Sequence, residues 1–462
     1  KHLLMERCKN LAADEILELK ILEPAMGSAA FLVETTNQLT DLYLERKQVE
    51  VGRVIPQEEI LLEKQKVRSY IADRNCFGVD LNPTAVELGA ISLWLNGLHK
   101  GEFSPWFGDQ LHAGNSLIGA RRAVYSASQL RGTPADLWFK NPPKEIGWKE
   151  ERPDNTVYQW LLPAGDMAAF EKDKTIKEFA GDHQALIKVW RAGGFFKPLE
   201  AHEINLVKRL TNVADELFEI VASEIARTRD AANDEITLWP DKTMSGAKGV
   251  SYQKKEILKQ RLLGEDHAHN TLPFKRLKTA MDAWCALWLW PIEKADKLPS
   301  RQEFLEGMRI LLEGGFSVDG SLSAGAEDDF AVVMGDLFDL QVAEPAAKYN
   351  VGLFQETNVE AFIEEYDWLQ VATEVASEAR FVHYDLIFAD ILKSRGGFDL
   401  IVGNPPWAKP NWNEGQVLAD LDPLYAGMSA SEAKDAMSGA LEQSGMASEF
   451  LNEYSLTRGG ME

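Results

Sequence analysis

Residues 398–407 read FDLIVGNPPW, an apolar run closed by a glycine, an amide, two prolines and a tryptophan. Asn404 brings a side-chain carbonyl that accepts hydrogen bonds. Pro405 and Pro406 fix φ and have no N–H, so the ladder cannot continue and the Pro405 carbonyl is left able to accept from elsewhere. Two acceptors side by side with the aromatic face of Trp407 suit a flat ring that carries an exocyclic amino group. The same residues also fit a strand ending in a plain proline turn. NPPK at 141–144, which no apolar strand precedes, reads as such a loop.

Three other stretches have the residue types of a ligand crevice. In EPAMGSAAF, 23–31, Gly27 and the small residues Ser28, Ala29 and Ala30 let a ligand approach the backbone where a helix begins. CFGVD, 76–80, reads as a strand ending in Asp80, and an acidic side chain at that edge of a parallel sheet typically holds ribose hydroxyls. GNSLIG, 114–119, places Asn115 at the end of a third strand. The absent Gly-Lys-Ser/Thr excludes a Walker phosphate loop, and the absent G-x-G-x-x-G disfavours a nicotinamide enzyme. Each stretch alone fits a cap or turn; their order, followed by NPPW, points to one shared crevice.

For these ends to meet, the strands must lie parallel with helices between them. The pattern predicts a helix over 2–19, a strand over 19–23, helices over 28–45 and 57–73, the strand 76–80, a helix over 83–98 and a strand near 110–118. That alternation implies a doubly wound parallel sheet. It stops at 121–380, where helical patterns such as Leu206, Leu210, Val213, Leu217, Ile220 and Val221 dominate. It resumes with YDLIFADIL at 384–392 and FDLIVG, whose Phe398, Leu400, Ile401 and Val402 read as a central strand covered on both faces. Residues 1–120 and 381–462 are therefore expected to form one α/β domain interrupted by a large, mainly helical insertion. The tryptophan-rich MDAWCALWLW, 281–290, is expected to be packed helix core.

The chain has 462 residues, 45% of them hydrophobic, and a net charge of −23, which opposes phosphate binding by the surface as a whole. The exception is 241–280, with nine Lys and Arg against four Asp and Glu, including Lys254, Lys255, Lys259, Lys275, Arg276 and Lys278; it is the candidate for nucleic-acid contacts. Cys8, Cys76 and Cys285 have no metal-like spacing, and none follows a proline as the nucleophile of a carbon-5 cytosine methylase would. No apolar run approaches a membrane span and no signal peptide opens the chain, so a soluble cytoplasmic protein is expected.

Taken together, EPAMGSAAF, FGVDLNPTAVELGAISLWL, GNSLIG and FDLIVGNPPW resemble the class I S-adenosylmethionine-dependent N6-adenine DNA methyltransferases, with a Rossmann-like sheet. Among these, the large methylases of type IIG restriction-modification and of BREX and DISARM phage-defence systems are the most similar. The resemblance covers residues 1–120 and 380 to about 430. It implies S-adenosylmethionine as cofactor and no metal. Glu23, Pro24, Ala25, Gly27 and Phe31 would hold the cofactor, with Glu23, Ala25 and Gly27 lining its methionine moiety. Asp80, followed by Leu81, would hold the ribose, and Asn115 would lie near its adenine. Asn404, Pro405, Pro406 and Trp407 would take a target base flipped from double-stranded DNA. Ala29 stands where the family has a second glycine, which narrows the backbone's freedom there. The family's upstream tyrosine-threonine-proline turn and the last strands of its sheet are missing, as expected of part of a longer polypeptide.

The residue types imply a mechanism. The adenine amine is a poor nucleophile because its lone pair is delocalised into the ring; acceptors at Asn404 Oδ1 and the Pro405 carbonyl would localise it for direct in-line transfer. Stacking on Trp407 would replace roughly 1–3 kcal/mol of lost base stacking. An RNA or protein-amide substrate, or a non-catalytic subunit holding cofactor or DNA within a defence complex, also fits the motifs. The long insertion and Trp407 in place of tyrosine favour DNA.

Overall fold

The computed structural model describes residues 2–98, 106–132, 137–170, 172–241, 249–263, 272–316, 357–405 and 446–461, with single positions between 417 and 432. Four parallel strands, β1 (Ile21–Glu23), β2 (Cys76–Asp80), β3 (Leu111–Ala113) and a strand at Leu400–Ile401, form a sheet in which that last strand lies beside β1, on the side away from β2 and β3. Successive side chains alternate between the faces. Ile21 and Cys76 join Leu32, Leu39, Tyr43, Val67, Ile71 and Leu93 from the helices Ala30–Val51, Ile60–Asn75 and Pro83–Gly97. Leu22, Phe77 and Val79 instead pack on Val382, Phe388 and Ile391. Helices thus cover both faces of β1 and β2, which explains why Ile21, Leu22, Cys76, Phe77 and Val79 are apolar on both sides of the sheet.

The second face accounts for one difference from the sequence reading. YDLIFADIL is not a strand: Tyr384–Ile387 and Ala389–Arg395 are helices. Their apolar side chains are needed as a lid on Leu22, Phe77 and Val79, and Phe388 meets Phe77 edge-on at 5.8 Å. The Asp385 carboxylate fixes this lid by accepting from the Arg122 amide at 2.9 Å and from Trp148 Nε1 at 2.9 Å. Other boundaries also differ. Residues 2–19 contain two short helices, His2–Cys8 and Ala13–Ile16, and the third strand stops at Ala113, with Asn115 bridging to Phe381. Nor is 398–402 covered on both faces. Among the described residues only Leu400 and Ile401 of this stretch pair, at one edge of the four strands, and Ile401 is 64% exposed.

Residues 121–380 begin with a small antiparallel sheet, order β5-β4-β6 (Lys144–Glu145, Ala123–Ser126, Thr156–Tyr158), which the helical pattern had hidden. With that sheet's edge strand counted, Leu400–Ile401 becomes β7. The helix Ala201–Ala232 then buries Val207, Leu210, Ala214, Leu217 and Val221 in the largest core. Its Arg229 ties insertion to sheet: buried, it pairs with Asp109 at 2.8 Å and with Asp390, and its guanidinium lies 4.9 Å from the Phe77 ring centre. The tryptophan-rich stretch is core, as expected: Trp284 and Trp290 are buried, donating to the Leu162 and Lys294 carbonyls. The basic stretch is not one charged face. Lys255 is buried against Asp234 at 2.9 Å, and Arg276 is buried donating to the carbonyls of Leu311 and Leu312. Burial needs those cations paired inside the protein, which removes them from any phosphate surface. Among the described residues no helix is long and apolar enough to cross a membrane.

The placement of β7 rests on Asp399. Its carboxylate accepts from the Lys20 amide at 2.9 Å, pairs with Arg7 at 2.9 Å and Arg395 at 2.8 Å, while its own amide donates to the Lys20 carbonyl at 2.8 Å. Burial pushes this carboxyl up, but the Lys20 amide and the two arginines outweigh it and hold it below the usual range. A depressed carboxyl stabilises the fold above its unfolded pKa, near 3.9, and that contribution is lost as pH falls through the folded value. Asp399→Asn is therefore expected to lower unfolding free energy by roughly 1.5–3 kcal/mol at pH 7. In denaturant titrations the gap from wild type should close below about pH 4.

Candidate functional site

The carboxyl ends of all four strands lie along one edge. The chain leaves β1 for β2 and then β3 on one side, and β7 lies on the other, so the crevice outside β1 and β7 is a topological switch point, the usual place for a ligand in such sheets. Register sets the alignment: Leu22 pairs with Phe77 on one side and Ile401 on the other, and Asp80 with Ala113. The Val402 amide donates to the Leu22 carbonyl at 2.9 Å. Just beyond, a Cβ on Gly403 would lie 3.7 Å from Pro24 Cδ, so the turn carrying Asn404 sits against the turn after β1. Asn404 and Pro405 are exposed; Pro406 and Trp407 lie outside the described residues.

The turn after β1 is built for close approach. Gly27 has φ +53°, with nothing within 4 Å of where its Cβ would stand. Ala29, which caps the helix Ala30–Val51, is itself left-handed at φ 61°. An alanine in that conformation costs roughly 1–2 kcal/mol relative to glycine, so the substitution noted in the sequence falls where it strains the backbone. Its methyl is buried, with Gly89 so close that a Cβ there would stand 3.2 Å from it.

Asp80 joins the loops after β1 and β2. Its Oδ2 accepts from the Gly27 amide at 2.8 Å and its Oδ1 from the Asn82 amide at 2.9 Å. Each oxygen has a second lone-pair direction, so the carboxylate can take two vicinal hydroxyls while still holding the turn. Asn82 in turn caps the helix Pro83–Gly97, accepting from the Thr84 amide at 3.0 Å. Phe31 and Leu81 leave apolar side chains 47% and 56% exposed. Asn115 spends its Oδ1 on the Leu117 amide at 3.0 Å, so the donors of its NH2 are what it can offer a ligand. Glu23 is 1% exposed, with its Oε2 accepting from the Leu32 amide at 3.3 Å. Burial raises its carboxyl to about 7, against the Leu32 amide and helped by Asp80.

The structure also places Arg380, which the sequence reading did not single out. It ends the helix Asp367–Ala379 in a left-handed conformation at φ 52°. Its carbonyl accepts from the Asn115 amide at 2.7 Å and its Nη1 donates to the Leu81 carbonyl at 2.9 Å. The last residues of the insertion therefore fasten the loops after β2 and β3. Gly119 makes this possible, since a Cβ there would lie 1.9 Å from the Val382 carbonyl. Nothing local in the sequence marks this contact between residues far apart in the chain.

Glu23 makes a direct prediction about pH. Its folded pKa is raised, so its stabilising contribution is fully present below the unfolded value of about 4.3 and is lost as pH rises towards about 7. Thermal unfolding of wild type and Glu23→Gln between pH 4 and 8 should show wild type losing ground to the variant across that window and a constant difference above it.

A protein-family description, Eco57I restriction-modification methylase, matches residues 74–437. A protein of Methanocaldococcus jannaschii named as a type II restriction enzyme and methyltransferase is 30% identical over 115 residues, 23% of this chain and 9% of that protein. The chain thus spans about a tenth of that relative's length. No solved structure matches.

Proposed function

The chain belongs to the Eco57I restriction-modification methylase family, and on that premise we propose that it methylates the N6 amino group of adenine in double-stranded DNA, using S-adenosylmethionine, within a restriction or phage-defence system. The observation that carries this reading is the contact between the two turns, Gly403 against Pro24, beside the carboxylate of Asp80. It puts two acceptors for an amine next to a turn with room for a ligand. Double-stranded DNA is the partner, with further subunits of a defence complex, in the cytoplasm.

The residues at the crevice fit S-adenosylmethionine: an open left-handed turn at Gly27, a carboxylate with lone pairs to spare at Asp80, and donors at Asn115. When bound, the cofactor supplies a methyl group on a sulfonium. Asp80 accepts from the ribose hydroxyls, and Phe31 and Leu81 give apolar cover. Asn404 Oδ1 and the Pro405 carbonyl accept from the target amine, drawing its lone pair out of conjugation and aiming it. Acceptors carried on a strand end would need little reorganisation as charge develops. Trp407 stacks on the base. Nothing in this scheme requires a covalent enzyme intermediate, in keeping with three buried cysteines.

Asn404→Ala should lower methyl transfer by roughly two to three decades, the cost of removing one preorganised polar partner. Asn404→Asp keeps an acceptor and should retain measurable activity. A single-turnover assay with tritiated cofactor and unmethylated DNA reads both, and wild-type rates in both variants would reduce NPPW to a turn. Asp80→Ala should cost roughly 1.5–3 kcal/mol of cofactor affinity by calorimetry, with unchanged affinity removing the crevice assignment.

A further inference from the structure

The basic stretch does not form a surface patch, but three of its lysines line one cavity. The helices Tyr252–Leu263 and Pro273–Ala286, together with Ala201–Ala232 and Asp367–Ala379, wall a cavity of about 410 Å3 that reaches His112 and Ala113 of β3. That volume is in the range of small-molecule sites. Phe274 and Phe381 give it aromatic surface, and Lys259, Lys275 and Lys278 line it as well. Lys278 is matched by Asp282 at 2.6 Å, whereas Lys259 and Lys275 have no ion-pair partner among the described residues. Among the described residues, the acids that line the cavity are already used: Asp109 by Arg229, and Asp282 by Lys278 and by His383 at 3.0 Å. The site is therefore cationic in a chain whose net charge is −23.

His112 adds direction. Burial lowers its ring to about 4, so it is neutral at pH 7. Its Nε2 lies 3.2 Å from the Asp109 carbonyl, which only accepts; Nε2 therefore carries the proton and Nδ1 is an acceptor. Apolar and aromatic walls, one ring acceptor and two unmatched cations together describe a flat heterocycle with an amino group and an attached phosphate. An aliphatic acid would satisfy the cations and leave His112 unanswered.

We propose that this cavity is a second nucleotide site, separate from the crevice at Asp80, which takes an adenine or cytosine nucleotide with its base against His112 and its phosphate against Lys259 and Lys275. The nucleotide can be free or belong to a DNA strand, since the recognised chemistry is the same.

Calorimetry on the full chain, with excess S-adenosylhomocysteine filling the crevice, tests this using adenosine monophosphate, uridine monophosphate, adenosine, laurate and a short single-stranded oligonucleotide. Adenosine monophosphate should bind. Lys259→Ala/Lys275→Ala should weaken it about tenfold or more, as expected for losing charge-assisted contacts to a phosphate, and the paired arginine variant should restore it. His112→Phe should abolish the preference over uridine monophosphate, and the lysine-dependent binding should be the same with and without S-adenosylhomocysteine. Lysine-dependent binding of the oligonucleotide, tighter than the monophosphate, would assign the site to DNA; tighter monophosphate would assign it to a free nucleotide. Both outcomes support the proposal. It is overturned if no nucleotide binds, if laurate binds in preference, or if S-adenosylhomocysteine competes the nucleotide away and the lysine variants do not weaken it.

Discussion

The register between β1 and β7 is the constraint on which the site depends. Lys20 and Asp399 are 379 residues apart in sequence, yet they exchange backbone and side-chain hydrogen bonds, and Arg7 and Arg395 grip the same carboxylate from either side. Everything beyond follows from this pairing: Leu22 opposite Ile401, Val402 bonded to Leu22, and Gly403 against Pro24. A slip of one residue would turn Leu400 and Val402 to the opposite faces and carry Asn404 away from the turn at Gly27. The closure cost of a long loop grows only slowly with its length, so an insertion of this size is tolerated if it folds on its own core. Most of the largest core comes from residues 121–380, and Arg229 between Asp109 and Asp390 ties that core to the sheet.

The crevice is held by backbone amides drawn to carboxylates. Asp80 fixes the turn after β1 through Gly27 and the turn after β2 through Asn82, while Arg380 fastens the loops after β2 and β3 from the far end of the insertion. The insertion is thus part of the crevice's frame, and a ligand that shifts the helix Asp367–Ala379 would be felt at Leu81 and Asn115. The left-handed Ala29 adds strain in the turn after β1, where the helix Ala30–Val51 begins.

Much of this was legible in the sequence because strand ends and special turns have local signatures. Ile21–Glu23 and Cys76–Asp80 are strands of one parallel sheet, as their pattern suggested, and Gly27, Asp80, Asn115 and Asn404 lie at or just beyond the carboxyl ends of its strands. The failures share a cause. YDLIFADIL has strand-like residues but is helical because the second face of the sheet needs a lid, and Lys255 and Arg276 look like surface charges but have partners far away in sequence. Arg380 has no local mark at all. In each case the deciding contact is tertiary, which a window of neighbouring residues cannot contain.

The central claim is that the Asn404 turn, set beside the Gly27 turn, transfers methyl groups to adenine in DNA. The most direct measurement is to incubate the protein with methyl-tritiated S-adenosylmethionine and unmethylated double-stranded DNA, digest the DNA to nucleosides and separate them. The account predicts label in N6-methyldeoxyadenosine; label in a methylated cytosine, or only in RNA or protein offered in place of DNA, would contradict it.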